Sequence, residues 1–187
     1  DIDWIRFNKP GEERKLASRG EDQFGPATKQ FMWYLNSPTF IEFLERMTGI
    51  EGLVADPNIW GGGLHQSLRG GKLGIHADFN RHSKLKLDRR LNLLIYLNKG
   101  WKDEYGGHLE LWDAKMEHCM KKILPVYNRA VVFNTDDTSY HGHPDPLTCP
   151  ENTTRKSLAL YYYTNGRPDP TAAHSTLFQK RPGETEY

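Results

Sequence analysis

The chain has 187 residues, with 25 Lys and Arg against 24 Asp and Glu and a formal net charge of +1. That balance excludes a broad electrostatic hold on nucleic acid or an acidic membrane, and no apolar run approaches the ~20 residues that cross a bilayer. An aromatic content of 12% is too high for a disordered chain, so the length predicts one soluble domain over 1–187 with a sizeable core.

Residues 1–50 are expected to form a helical support, with a first helix over about 27–35. Ser37-Pro38 opens a second, because Ser can cap free amide groups and Pro is tolerated at the first helical position. Phe40, Phe43, Leu44 and Met47 follow at i, i+3, i+4 and i+7, a stripe expected to face the core, and Gly49 suits the stop. Residues 51–166 then break into short apolar runs at 53–55, 64–67, 73–76, 92–97, 108–112, 130–134 and 157–163. Turn signals such as Gly70-Gly71, Gly106-Gly107 and Asn165-Gly166 separate them, a spacing that predicts an all-β barrel or sandwich. Gly61-Gly62-Gly63 is read as a flexible turn, since no Lys-Ser/Thr or helix follows it. The basic stretch 81–90 is read as a solvated loop, and 167–187 as a tail packed over the core. Cys119 and Cys149 supply neither a disulfide scaffold nor a four-thiolate zinc site, which points to a reducing, cytoplasmic setting. The start at Asp1 is no signal peptide, and without a Met it leaves room for residues upstream. Asn152-Thr153-Thr154 is a glycosylation sequon that matters only in a secreted protein.

The chemistry concentrates in three places. On an extended strand His76 and Asp78 point to one face. Alone that pair is a weak signal, more often a surface hydrogen bond. His141 and His143 follow the apolar run 130–134, and two histidines with one carboxylate on facing strands make the triad that holds non-haem Fe(II). Spacing leaves His141 and His143 as alternatives. Arg155 opens the aromatic strand 155–163, where an inward arginine can grip a dicarboxylate through a bidentate pair. The dull alternative is a surface ion pair with Asp145 or Glu151, worth ~0–1 kcal/mol. Alternation puts Arg155, Ser157, Ala159 and Tyr161 on one face and Leu158, Leu160 and Tyr162 on the other. His65, His82, His108, His118 and His174 lack partner spacing and are read as structural or exposed.

The ordered set resembles the prolyl-4-hydroxylase-like branch of the Fe(II)/2-oxoglutarate oxygenases over about 60–165. It comprises His-x-Asp at 76–78, the Arg89-Arg90 to Tyr96-Leu97-Asn98 run, Gly106-Gly107-His-Leu-Glu-Leu, His141 and Arg155-x-Ser157. The resemblance implies a mainly β, double-stranded β-helix (jelly-roll) core with supporting N-terminal helices. It implies Fe(II) on His76, Asp78 and His141, and 2-oxoglutarate held by Arg155 and Tyr96. Ser157 adds a hydroxyl, Asn92 and Leu94 share the pocket face of Tyr96, and His143 and Tyr161 stand behind the centre. O2 would be the cosubstrate, ascorbate the reductant, and succinate and CO2 the products of a C–H hydroxylation. Asp78 fills a position that is small in related halogenases, which favours hydroxylation. The implied substrate is a peptide, by default through proline, or a small molecule, with no nucleic-acid partner. The loop 79–88 and the tail around 174–181 would wall the entrance.

Two features depart from the family pattern. His143 replaces a more usual apolar residue, and the 141–155 stretch is long. His141 is preferred as ligand because it lies nearer the preceding strand, as the family's ligand does. The alternative function is a non-catalytic metal-binding jelly-roll module, against which Arg155 and Tyr96 argue, since a plain metal site needs no carboxylate anchor. A zinc hydrolase is weaker, with only His143 and Asp145 as nearby bases.

Overall fold

The apolar runs and turns assemble into one curled antiparallel sheet, a jelly-roll half-barrel, in the computed structural model, which describes residues 2–185. Its strands are β1 (Ile5–Lys9), β2 (Glu12–Ala17), β3 (Val54–Ala55), β4 (Gly63–Ala77), β5 (Asp88–Tyr96) and β6 (Leu109–Trp112). β7 (Cys119–Ile123), β8 (Ala130–Asn134), β9 (His141–His143), β10 (Arg155–Thr164) and β11 (Leu177–Phe178) complete it. The main order is β7-β6-β9-β4-β10-β5-β8, with β2 and β11 also pairing with β4. β4 and β10 therefore lie in the middle, where their side chains are shielded on both sides.

Helices α1 (Pro26–Leu35) and α2 (Pro38–Thr48) cover one face of the sheet. The Ser37 hydroxyl accepts the Phe40 amide at 3.4 Å, and Gly49 closes α2 with φ 71°. Met32, Leu35 and Leu44 pack on Leu91, Leu93 and Ile95 of β5 and on Leu158, Leu160 and Tyr162 of β10. Each buried leucine contributes ~1.5–3 kcal/mol. The β10 alternation holds: its apolar face meets the helices, and Arg155, Ser157 and Ala159 face the opposite way, into the half-barrel.

Several expectations change. Residues 5–17 are not helical; they form the β1–β2 hairpin, turned at Gly11 with φ 79° and joined to β4. Ile5 and Phe7 alternate with polar neighbours, a strand period that a uniform helical support overlooks. The sheet thus draws on both flanks of the 51–166 segment, since β11 joins it from the tail. Of the α2 stripe only Leu44 is fully buried; Phe43 and Met47 are half-exposed, because they overhang the end strand β8. The runs 64–67 and 73–76 are one strand, β4, whose register against β2 jumps from Lys72 to Ser67 and loops out 68–71. Gly61-Gly62-Gly63 is constrained, not flexible: a Cβ on Gly62 would lie 2.6 Å from the Ala159 carbonyl oxygen.

β9 has only three residues, yet it carries His141 beside β4, pairing with His76. Gly142 permits this contact, since a Cβ there would lie 2.6 Å from Gly74 O and 2.7 Å from Leu73 O, both rigid backbone. Gly142→Ala should destabilise the fold by ~1–3 kcal/mol, the usual cost of overpacking. A lower urea midpoint with an unchanged slope is the expected result.

Candidate active site

His76 is the penultimate residue of β4, Asp78 follows one residue past that strand, and His141 begins β9, so the β4–β9 pairing brings all three together. Their donor atoms lie within 4.8 Å of one another. His76 Nε2 is 3.6 Å from Asp78 Oδ1, and His141 Nε2 is 3.2 Å from Asp78 Oδ2. The other ring nitrogens face backbone carbonyls: His76 Nδ1 is 2.8 Å from Gly74 O and His141 Nδ1 is 2.9 Å from Ser139 O. An N–H at each Nδ1 leaves both Nε2 lone pairs turned toward the carboxylate. Burial, then the neighbouring His141, lowers the His76 pKa and keeps that ring neutral. Phe178 packs on the His76 ring and Phe133 on the His141 ring, fixing both orientations. Two imidazoles and one carboxylate, converging in a largely buried site, fit a divalent metal such as Fe(II). His143 is not among the converging donors: its Nε2 faces the Ser67 hydroxyl at 3.3 Å. A second donor grouping, Asp113, Glu117 and His118, is an exposed turn beyond β6.

Behind Asp78 stands a residue that the sequence reading placed in a solvated loop. Arg89 is 1% exposed. Its Nη2 donates to Asp78 Oδ2 at 2.9 Å, and its Nε and Nη2 donate to Asn92 Oδ1. Asn92 Nδ2 in turn donates to Asp78 Oδ2 at 2.7 Å. The guanidinium is stacked between Tyr161, at 3.4 Å, and Phe79, at 4.4 Å. Burial alone would raise the Asp78 pKa, but Arg89 and then His141 hold it well below the usual carboxylate range. Strict alternation aims Arg89 away from Asn92. A bulge reverses this: Leu91 pairs with Tyr162 and Arg89 with Tyr163, leaving Arg90 as the extra residue. Arg90 turns instead to the Thr164 hydroxyl.

Arg155 enters the same cavity from the start of β10 and is 7% exposed. Its Nε donates to Gly107 O at 2.7 Å and its Nη2 to the Tyr96 hydroxyl at 3.3 Å. Gly107 must be glycine for this approach: at φ 70° a Cβ would lie 2.9 Å from Arg155 Cδ and 2.6 Å from a Leu147 methyl. Burial lowers the Arg155 pKa, and among the described residues no acid pairs with its charge. The cavity measures about 90 Å³; Asn92, Leu94 and Ser157 line it as expected, and His143, expected behind the centre, lines it too. Tyr161 lines it with its ring, while its hydroxyl donates to Gly61 O at 2.9 Å. His65 and Lys15 also line it and carried no sequence signal; both are brought in by the β2–β4 pairing. The expected entrance walls do not line this cavity: no residue of 79–88 or 174–181 borders it. Phe79 packs on Tyr161, and Asn80 ties the tail down through Thr171 and His174. His82, read as partnerless, is buried 3.3 Å from Asp56.

Residues 62–163 match the profile of the 2OG-Fe(II) oxygenase superfamily, more than half of the chain. The chain belongs to that superfamily. Over 79 residues it is 29% identical to the prolyl 3-hydroxylase OGFOD1 of Mus musculus, a segment covering 40% of this chain and 14% of the mouse protein. A Pseudomonas putida prolyl-4-hydroxylase is similar in structure, with TM-score 0.59 and 15% identity over 88% of this chain and 79% of that one. A Trichoplax adhaerens prolyl hydroxylase, in complex with a hypoxia inducible factor oxygen degradation domain peptide fragment, has TM-score 0.59 and 18% identity. That match covers 86% of this chain and 70% of the other. The structural likeness establishes the shared fold.

Because Arg89 and Asn92 hold Asp78 Oδ2, Arg89→Ala should weaken metal binding by about 10–100-fold. Arg89→Lys should fall between that variant and the wild type, as a point charge without the planar fork. Anaerobic equilibrium dialysis against Fe(II) or Mn(II) measures both.

Proposed function

We propose that residues 1–187 act as one Fe(II)- and 2-oxoglutarate-dependent dioxygenase domain that hydroxylates a C–H bond of its substrate. The observation that carries this is Arg155, a buried guanidinium with no acidic partner among the described residues, in the same cavity as His76, Asp78 and His141. An uncompensated buried charge calls for an anion, and 2-oxoglutarate offers a carboxylate at the end opposite its metal-chelating group. His76, Asp78 and His141 would hold the iron. Iron bound there would supply the coordination positions for 2-oxoglutarate and O2, the oxidant being O2 itself.

The chain's own residues do the rest. Gly107 O fixes Arg155 Nε, so the remaining guanidinium N–H groups are aimed at the distal carboxylate. The Tyr96 hydroxyl, buried beside them with its pKa raised, stays protonated and can donate. Ser157 adds a further hydroxyl, and Leu73, Leu94 and Leu109 keep water from the cavity. In the overall reaction O2 and 2-oxoglutarate are consumed, succinate and CO2 released, and one oxygen atom enters the substrate. Ascorbate would keep the iron reduced. The named relatives support a prolyl-hydroxylase-like reaction on a peptide. The two free thiols, Cys119 and Cys149, support a cytoplasmic setting; among the described residues no helix is long and apolar enough to cross a membrane.

Succinate release with Fe(II), O2 and ascorbate tests the proposal. Asp78→Ala should abolish it. Arg155→Ala should raise the 2-oxoglutarate requirement about 30-fold or more, corresponding to ~2–5 kcal/mol for a charged pair losing its partner, and Lys there should rescue in part. His141→Ala should lose the metal and His143→Ala keep it; the reverse result overturns the ligand assignment. No turnover and no bound iron in the wild type would overturn the proposal, whereas bound metal without any 2-oxoglutarate binding would leave only a metal-binding module.

A further inference from the structure

The sheet ends at β8. Among the described residues this strand pairs only with β5, so its outer edge has no neighbour. The ladder fixes which groups lie there. The Thr135 amide donates to Arg90 O and Arg129 O accepts from the Tyr96 amide, so residues 129, 131, 133 and 135 turn their backbone inward. Ala130, Val132 and Asn134 therefore point their N–H and C=O groups outward. Exposed strand edges are ordinarily guarded by charge, by proline or by cover. β7, at the other end of the sheet, carries Lys121 and Lys122. β8 reads Ala-Val-Val-Phe-Asn, with neither charge nor proline.

The helix layer extends past this last strand. Phe43 and Met47 overhang β8, and with Phe31 and Tyr34 they wall a groove of about 570 Å³ floored by Leu93 and Ile95. The four wall side chains are 41% to 54% exposed. An open edge takes a strand, and an apolar overhang takes apolar cover. A second copy of this chain brings both. Antiparallel pairing centred on Val132 sets Ala130 opposite Asn134 of the other copy, so every outward N–H and C=O of the three residues finds a partner. The two-fold axis then stands perpendicular to the sheet. The helices of both copies lie on one face, and their exposed apolar side chains meet over the joined strands. The same register brings Arg129, exposed just before β8, near Asp136 of the other copy, just beyond that strand. A net charge of +1 sets little repulsion between copies. The area suffices as well: half-exposed side chains of this size offer about 100 Å² each, about 800 Å² over both copies. With the strand edges added, the total reaches the ~1,000 Å² that a specific interface must clear. We propose that the β8 edge and the groove above it form a homodimer interface, with the sheet continuous through a two-fold axis at Val132. This interface stands independently of the oxygenase function.

Sedimentation equilibrium on the full chain, from about 1 to 100 μM, is the test. The mass should climb with concentration from 21.6 kDa toward twice that value. Met47→Glu places a charge in the apolar patch, and Ala130→Pro removes an outward N–H without breaking a bond to β5. Each should raise the dimer Kd about tenfold or more, with the wild-type circular dichroism spectrum retained. Neither residue lines the reaction cavity. Met120→Glu makes the same kind of change on β7, where Met120 is 63% exposed, and should leave the Kd as it is. Val132→Cys should join two chains by a disulfide under mild oxidation, because facing Cα atoms in such a pair lie about 5.5 Å apart. A chain that stays at 21.6 kDa at every concentration overturns the interface. So does a dimer that Met47→Glu and Ala130→Pro leave intact, or one that Met120→Glu weakens equally. Cross-linking of Val132→Cys no greater than that of the wild type, with its own Cys119 and Cys149, overturns the two-fold register and the proposal with it.

Discussion

The uncompensated charge of Arg155 is the constraint around which the interior of the half-barrel is organised. Putting a guanidinium out of reach of water, with no acid beside it, costs several kcal/mol unless other groups answer it. The chain answers it only in part. Gly107 O and the Tyr96 hydroxyl take two of its donors, and both are neutral. His143 stays neutral as well: burial first, and then Arg155, hold its pKa well below the usual value. The neighbours thus orient the charge without cancelling it. A structural arginine would be paired; this one lacks an acid among the described residues, which is the ground for proposing it as the anchor of the cosubstrate.

The opposite treatment of Asp78 sharpens the contrast. Its carboxylate is satisfied by Arg89 and Asn92 on one oxygen, and both imidazoles approach it. The two buried arginines therefore do different work. Arg89 is locked between two aromatic rings and neutralises the carboxylate, whereas Arg155 is left open. The sheet makes this division possible by pointing alternate residues of β10 to different faces, one closed by α1 and α2 and one forming the cavity.

Much of this was legible in the sequence because it follows from period-two alternation. The strand 155–164 could be sorted into a core face and a site face from Leu158, Leu160 and Tyr162 against Arg155 and Ser157. Ser37-Pro38 and Gly49 marked α2 correctly for the same kind of local reason. What was hidden depended on departures from regularity. Arg89 reached Asp78 only through a bulge at Arg90, and no local pattern announces a bulge whose cause lies in the partner strand. β9 is too short and too polar to register as a strand, although it positions His141. Lys15 and His65 came to the cavity through long-range pairing of the N-terminal hairpin with β4, which composition and spacing do not encode. The tail strand β11 belongs with these, since two residues at Leu177–Phe178 carry no period at all.

Arg155 and the His76–Asp78–His141 grouping together form the proposed binding site for 2-oxoglutarate. Anaerobic calorimetry with Mn(II) as a redox-inert metal tests it without any substrate. The prediction is one 2-oxoglutarate bound per chain only when the metal is present, and binding lost in Arg155→Ala while that variant still takes up Mn(II). Binding of equal strength in Arg155→Ala, or in the wild type without metal, would contradict it.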